Sequence, residues 1–191
     1  MTCRRAYHAR VYFWTCEAAL QRYRERPYDV WRRHGLVTIT EGDVTDYTRI
    51  RHDVSEIARR LGVQKIAYDR RGALQLSQEL MGDGLAMVEQ GQGFFLSEPT
   101  KTLSRLVAAG PEHFTHDPNA CLDWQAGNLS VLRGTRNDLR PVKTFGPEKI
   151  DGMVVLIIMA LAHATTPPPP PKPTGSVYDT RDVFILGGDD D

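Results

Sequence analysis

The sequence predicts an α/β fold, and three stretches carry that expectation. The run Lys65-Ile66-Ala67-Tyr68-Asp69 is short and apolar, with Leu61-Gly62-Val63 before it and Arg70-Arg71-Gly72 after it. A run of this kind, bounded by turn signals, reads as a buried strand. The helical pattern of Ala73, Leu74, Leu76, Leu80 and Met81 follows. A second apolar run, Leu85-Ala86-Met87-Val88, comes after Gly82-Asp83-Gly84. Strand, helix and strand at this spacing make a βαβ unit. The carboxyl end of the first strand in such a unit opens toward the ligand side of the sheet, and Asp69 sits at that end. Its plainer role is to cap the helix that follows.

From the start of the chain, His8-Ala9-Arg10-Val11-Tyr12-Phe13-Trp14 is rich in strand formers. Cys16 to Glu25 has a helical pattern, stopped by Pro27. Leu36-Val37-Thr38-Ile39-Thr40 is a strand candidate closed by Glu41-Gly42. Asp46 to Leu61 predicts a helix, with Tyr47, Ile50, Val54, Ile57, Ala58 and Leu61 at three-and-four spacing. After the βαβ unit, Pro99 to Ala109 predicts another helix, carrying Leu103, Leu106 and Val107 and ended by Gly110-Pro111. Leu122 to Gly127 is short and fits neither period, Leu129 to Leu132 reads as a strand, and Gly134 to Asp138 as a turn.

Pro147 suits the first turn of a last helix. That helix carries Ile150, Val154, Ile157, Ile158 and Leu161, is apolar on most sides, and should be buried. Asp151 stands in its first turns, where a carboxylate gains from the helix dipole. Its other role would be that of a ligand held on a rigid buried element. After Ala164, Thr165-Thr166 lead into the prolines Pro167 to Pro171. The expected division is a folded domain over 1–166, then a proline-rich linker and acidic tail over 167–191, disordered when alone. Within the tail, Val183-Phe184-Ile185-Leu186 is an apolar patch suited to docking a partner.

Composition sets the outer bounds. At 191 residues the chain is long enough for one domain with a real core. Formal net charge is zero, so no global field draws it to nucleic acid. The front is nonetheless basic: eight arginines fall in the first 34 residues, against Glu17, Glu25 and Asp29. That is compatible with phosphate contact, although a solvated helical face is the commoner cause. Three cysteines, Cys3, Cys16 and Cys121, without a CxxC point to a reducing compartment and no disulfide framework. His113, His116 and Cys121 lie close in sequence but lack a fourth zinc ligand. No signal-peptide pattern is visible, and the run Met153 to Ala162 is too short to span a bilayer. There is no internal repeat, Walker A loop, GxGxxG or nucleophile elbow.

At this point the residues carry a resemblance. Gly35-Leu36-Val37-Thr38-Ile39-Thr40-Glu41-Gly42, then Asp46-Tyr47, then Ile66-Ala67-Tyr68-Asp69, resembles the nuclease half of tailed-phage large terminase subunits. The resemblance continues in register through Gln92-Gly93, Leu96-Ser97, Trp124 with Asn128, Pro141-Val142-Lys143 and Glu148-Lys149-Ile150-Asp151-Gly152. It covers roughly Tyr12 to Ala164. It implies a ribonuclease-H-like fold, a central mixed sheet flanked by helices. It also implies a metal-dependent endonuclease that cuts concatemeric DNA during genome packaging. The implied partners are double-stranded DNA, the terminase small subunit, the portal protein and an ATPase motor domain encoded separately, with no membrane partner. The implied place is the cytoplasm of a phage-infected or prophage-bearing bacterium.

In that family the cleavage site is a cluster of acidic residues binding two divalent metals. One acid lies on the first strand, one at the end of a later central strand, and one on the last helix. Asp69 matches the second position and Asp151 the third, so the resemblance implies both as catalytic residues and metal ligands. Hard oxygen ligands suit Mg2+ or Mn2+. Two such ions about 4 Å apart can activate water and stabilise the leaving 3′-oxygen. The two carboxyl groups are therefore expected to approach closely. Arg70, Arg71 and Lys143 flank the acids in sequence and are candidate DNA contacts through phosphate. No strand with an aspartate precedes Tyr12, so the family's first acid and first strand are expected to be missing. A truncated reading frame, a prophage remnant or one part of a split gene would each have that form. Two functions stay open: the metal-dependent endonuclease, or a non-catalytic module that binds DNA or a packaging protein. A third carboxylate within reach of Asp69 and Asp151 discriminates between them.

Overall fold

In the computed structural model, which describes residues 6–146, 148–158 and 161, the βαβ unit is formed by β4 (Ile66–Tyr68), α4 (Arg70–Gly82) and β5 (Met87–Glu89). Before it come β1 (Tyr7–Ala9), β2 (Trp14–Cys16), α1 (Glu17–Arg22), α2 (Tyr28–Arg33), β3 (Thr38–Thr40) and α3 (Tyr47–Leu61). After it come a 3-10 turn (Gly93–Leu96), α5 (Ser97–Ala109), β6 (Phe114–His116), α6 (Ala120–Gly127), β7 (Leu129–Arg133), β8 (Leu139–Lys143) and a π-helix (Gly152–Ile158).

The strands pair in both senses, as a mixed α/β fold requires. β1 pairs with β6, β2 with β3 and β4 with β5, all parallel, while β7 and β8 form an antiparallel hairpin. Among the described residues these are four two-stranded ladders, not one continuous sheet. Each parallel pair needs a crossover. The segment of α1 and α2 supplies it for β2 and β3, and α4 for β4 and β5.

Local chemistry explains the element ends. Asp46 accepts from the backbone N–H of Thr48 (2.8 Å) and Arg49 (3.2 Å), capping α3, and Gly62 closes that helix with φ 62°. α6, ambiguous in the sequence, is a helix capped by Asn119, whose side-chain Oδ1 accepts from the N–H of Cys121 and Leu122. α1 ends at Arg22 with Tyr23 as its C-cap, short of the expected Glu25, so Pro27 does not stop it and instead stands as the N-cap of α2. The expected strand over His8 to Trp14 is divided: residues 10–13 leave the ladder between β1 and β2.

The main core gathers Val11, Leu96, Leu103, Leu122, Ile150, Val154, Ile158 and Leu161, with Ala67 of β4 packed against it. The last helix is buried, as its composition predicts, but it is wound as a π-helix. A second cluster joins Trp31, Val37 and Cys121 to Trp124, whose ring centroid lies 5.5 Å from that of Trp31. The Trp14 indole N–H donates to Asp53 at 2.9 Å and ties β2 to α3. Arg51 of α3 donates through Nε to Asp83 at 2.8 Å, clasping the end of α4. Pro147 and the whole proline-rich linker and tail, with its expected docking patch, lie outside the described residues. Among the described residues no helix is long and apolar enough to cross a membrane.

Candidate functional site

β4 ends at Tyr68, and Asp69 follows with extended backbone, φ −89° and ψ 120°. Its Oδ1 accepts from the Arg71 N–H at 3.2 Å, so Asp69 is the N-cap of α4. Its Oδ2 accepts from the Gln92 side-chain amide at 2.7 Å. The register explains this second contact. Tyr68 stands beside Glu89 in the parallel ladder, and the Gln90 N–H donates to the Tyr68 carbonyl at 2.9 Å. The loop after β5 therefore passes next to the end of β4, and two elements orient one carboxylate. Capping takes only one of the two Asp69 oxygens.

This carboxylate opens into a cavity of about 970 Å³ whose charged and amide lining includes Asp69, Arg70, Arg71, Glu89, Gln92 and Arg140. Arg70 approaches Glu89 at 3.9 Å, a loose pair. Arg71 and Arg140 have no carboxylate within 4.0 Å among the described residues. Three guanidinium groups against Asp69 and Glu89 leave the lining net cationic. Guanidinium forks match the oxygens of a phosphate in pairs, so the cavity suits a phosphodiester.

Asp151 lies elsewhere. It is exposed, occupies the helical residue just before the π-helix, and lines a second cavity of about 210 Å³ with Phe13, Thr15, Trp31, Trp124 and Lys149. The two cavities share no lining residue. Val154, from the same helix, lines the Asp69 cavity. Gln125 fixes the start of that helix by accepting the Gly152 N–H at 2.6 Å. Lys143 is exposed at the end of β8 and lines neither cavity. Asp69, Arg70 and Arg71 thus line one cavity, Asp151 lines another, and Lys143 lines neither. Arg140, Glu89 and Gln92 are additions to the sequence reading. Gln92 had appeared there only as part of a motif.

The fit to a divalent ion can be tested on these groups. Asp69 offers hard oxygens suited to Mg2+ or Mn2+. Glu89 shares its cavity but leans toward Arg70, and Asp151 occupies another. Among the described residues no three His, Cys, Asp or Glu side chains are grouped to hold a metal. As placed, the residues do not fit a two-ion centre.

Comparison with known proteins agrees with this fold. A family model described as terminase large subunit, endonuclease domain, matches residues 14–167. The terminase large subunit of Enterobacteria phage HK97 is 31% identical over 151 residues, 76% of this chain and 30% of that protein. Protein YmfN of Escherichia coli (strain K12) is 32% identical over 140 residues, 72% of this chain and 30% of that protein. The crystal structure of the HK97 bacteriophage large terminase superposes with a TM-score of 0.69 at 29% identity, covering 78% of this chain and 32% of the other. The chain therefore spans about 30% of the length of the curated relatives it matches.

Proposed function

We propose a function from one premise: this chain belongs to the terminase large-subunit endonuclease-domain family, whose model covers residues 14–167. The proposed role is a DNA endonuclease of phage genome packaging that cuts concatemeric double-stranded DNA in the bacterial cytoplasm. The partners proposed with it are the terminase small subunit, the portal protein and an ATPase motor domain. One observation carries the assignment to a place: an oriented carboxylate, Asp69, at the carboxyl end of β4, facing Arg70, Arg71 and Arg140 across one cavity.

The arginines would bind the non-bridging oxygens of the scissile phosphate and hold it against Asp69. Gln92 and the Arg71 N–H keep the Asp69 carboxylate aimed at that phosphate instead of at solvent. Asp69 would offer hard oxygens to Mg2+ or Mn2+, whose chemistry there would be activation of water and relief of charge on the departing 3′-oxygen. We propose Asp69 and Asp151 as the catalytic carboxylates and as candidate ligands of such an ion. The separate cavities favour a second reading, a non-catalytic DNA-binding module.

A plasmid assay separates the two. Supercoiled DNA with Mn2+ should be nicked slowly by the chain, and neither with EDTA nor by Asp69→Asn. Salt-sensitive binding without any nicking would support the module. Nicking that persists in EDTA or in Asp69→Asn would remove Asp69 from the reaction.

A further inference from the structure

The hairpin of β7 and β8 carries Arg133, Arg136, Arg140 and Lys143 against a single carboxylate, Asp138. None of these four cations has an ion-pair partner within 4.0 Å among the described residues, whereas Arg10, Arg49, Arg51 and Lys101 elsewhere are paired. Val131 and Leu132 are 41% and 50% exposed on the same hairpin. The ribbon is nevertheless held firmly. The Leu139 N–H donates to the Ser97 hydroxyl at 2.9 Å, and the Thr144 N–H to the Asn128 carbonyl at 2.9 Å. At the tip the Phe94 ring lies so close to Gly134 that an added Cβ would stand 3.1 Å from it. The Gly134 N–H bonds the Asp138 carbonyl at 2.8 Å, and Asn137 takes the left-handed turn position with φ 59°.

We propose that this hairpin is a ribbon that grips the backbone of double-stranded DNA beside the Asp69 cavity. It deepens the endonuclease reading above and rests on it for the identity of the ligand. Arg140 stands beside Leu132 in the ladder and also lines the Asp69 cavity, so the ribbon and the cavity form one cationic path. From Arg140 to the tip the ribbon rises about 10 Å at strand spacing, close to three base steps of about 3.4 Å. A two-stranded ribbon is narrow enough to enter a major groove about 12 Å wide. Arg133 and Arg136 at the tip hold phosphates on one side of the scissile bond, while Arg140 leads the strand to Asp69. None of the four has a carboxylate to leave among the described residues. Arg133, which donates to the Asn137 side-chain oxygen at 2.7 Å, gives up only a bond to a neutral amide, so these cations can meet a polyanion without first breaking an ion pair.

The test uses the full chain, a fluorescent duplex of about 30 base pairs, and EDTA to prevent cleavage. Anisotropy is read at about 50–200 mM KCl. In Arg133→Ala/Arg136→Ala the slope of log affinity against log salt should become shallower by about 1.8, the value for two lost phosphate contacts, with affinity lower by about tenfold or more. Arg133→Lys/Arg136→Lys, with unchanged melting temperature, should restore the slope. An unchanged slope in the alanine pair, equal loss in the lysine pair, or no duplex binding by the wild type would overturn the proposal. Equal binding and equal loss with poly-glutamate as probe would overturn the DNA assignment in favour of an acidic protein partner. The nuclease reading fails separately: Asp69→Asn that keeps nicking would sink it while leaving the ribbon result intact.

Discussion

Asp69 gives one oxygen to the Arg71 N–H and the other to Gln92, and only the first of these contacts is local. That difference decides what could be read in advance. An apolar run ending in an acid marks the carboxyl end of a strand, so Asp69 was legible from the sequence. Glu89 and Gln92 reach it only through the register of β4 on β5, and Arg140 only through the fold of a hairpin seventy residues away. No local pattern contains those distances. Cys121 makes a second point at this scale. Burial pushes its thiol up to about 11, against the opposing hydrogen bond from Gln125. A folded-state pKa above the unfolded value of 9.0 means that the unfolded thiol ionises first. The stability that Cys121 contributes is therefore complete below about pH 9 and is lost as pH rises to about 11. In urea unfolding, the stability difference between wild type and Cys121→Ala should shrink by at most about 2–3 kcal/mol between pH 8 and pH 11. A difference independent of pH would show that the thiol is not held neutral by its surroundings.

The elements divide in the same way. α3 was legible to within a residue because Asp46, a three-and-four apolar pattern and Gly62 mark its start, body and end. β6 was not, because three residues cannot display a period of two against chance, and β8 was masked by Pro141. The last helix was legible as buried but not as a π-helix. Its buried side chains Ile150, Val154 and Ile158 fall four apart, a spacing that an ordinary helix also allows. The start of this helix depends on Gly152. A Cβ there would stand 2.7 Å from the Phe13 ring and 3.0 Å from the Gln125 carbonyl oxygen that accepts its N–H. Gly152→Ala should therefore destabilise the fold by about 1–3 kcal/mol through overpacking. Phe13→Ala in the same chain should recover part of that loss, since the two sites share one contact. Denaturant unfolding of the four chains gives the coupling directly, and strict additivity would mean that the close approach at Phe13 is not what constrains Gly152.

At the scale of the whole molecule, side chains tie the ladders together among the described residues: the main core, the Trp14 to Asp53 bond, and the clasp of Arg51 on Asp83. Asp69 and Asp151 line different cavities, and the last helix borders the Asp69 cavity through Val154. The α/β class and the terminase relationship were legible because many short motifs recur in order. The lining that Glu89, Gln92 and Arg140 add around Asp69 was not, because it depends on strand register and on how the hairpin folds back. We propose that the Asp69 cavity is the nuclease centre, with Asp151 as a second catalytic carboxylate. The most direct measurement is Mn2+-dependent plasmid nicking by a chimera. It places before Tyr7 the segment that precedes the matched region in the HK97 relative. The account predicts nicking much faster than that of the chain alone, abolished by either Asp69→Asn or Asp151→Asn. A chimera whose nicking survives both substitutions would contradict it.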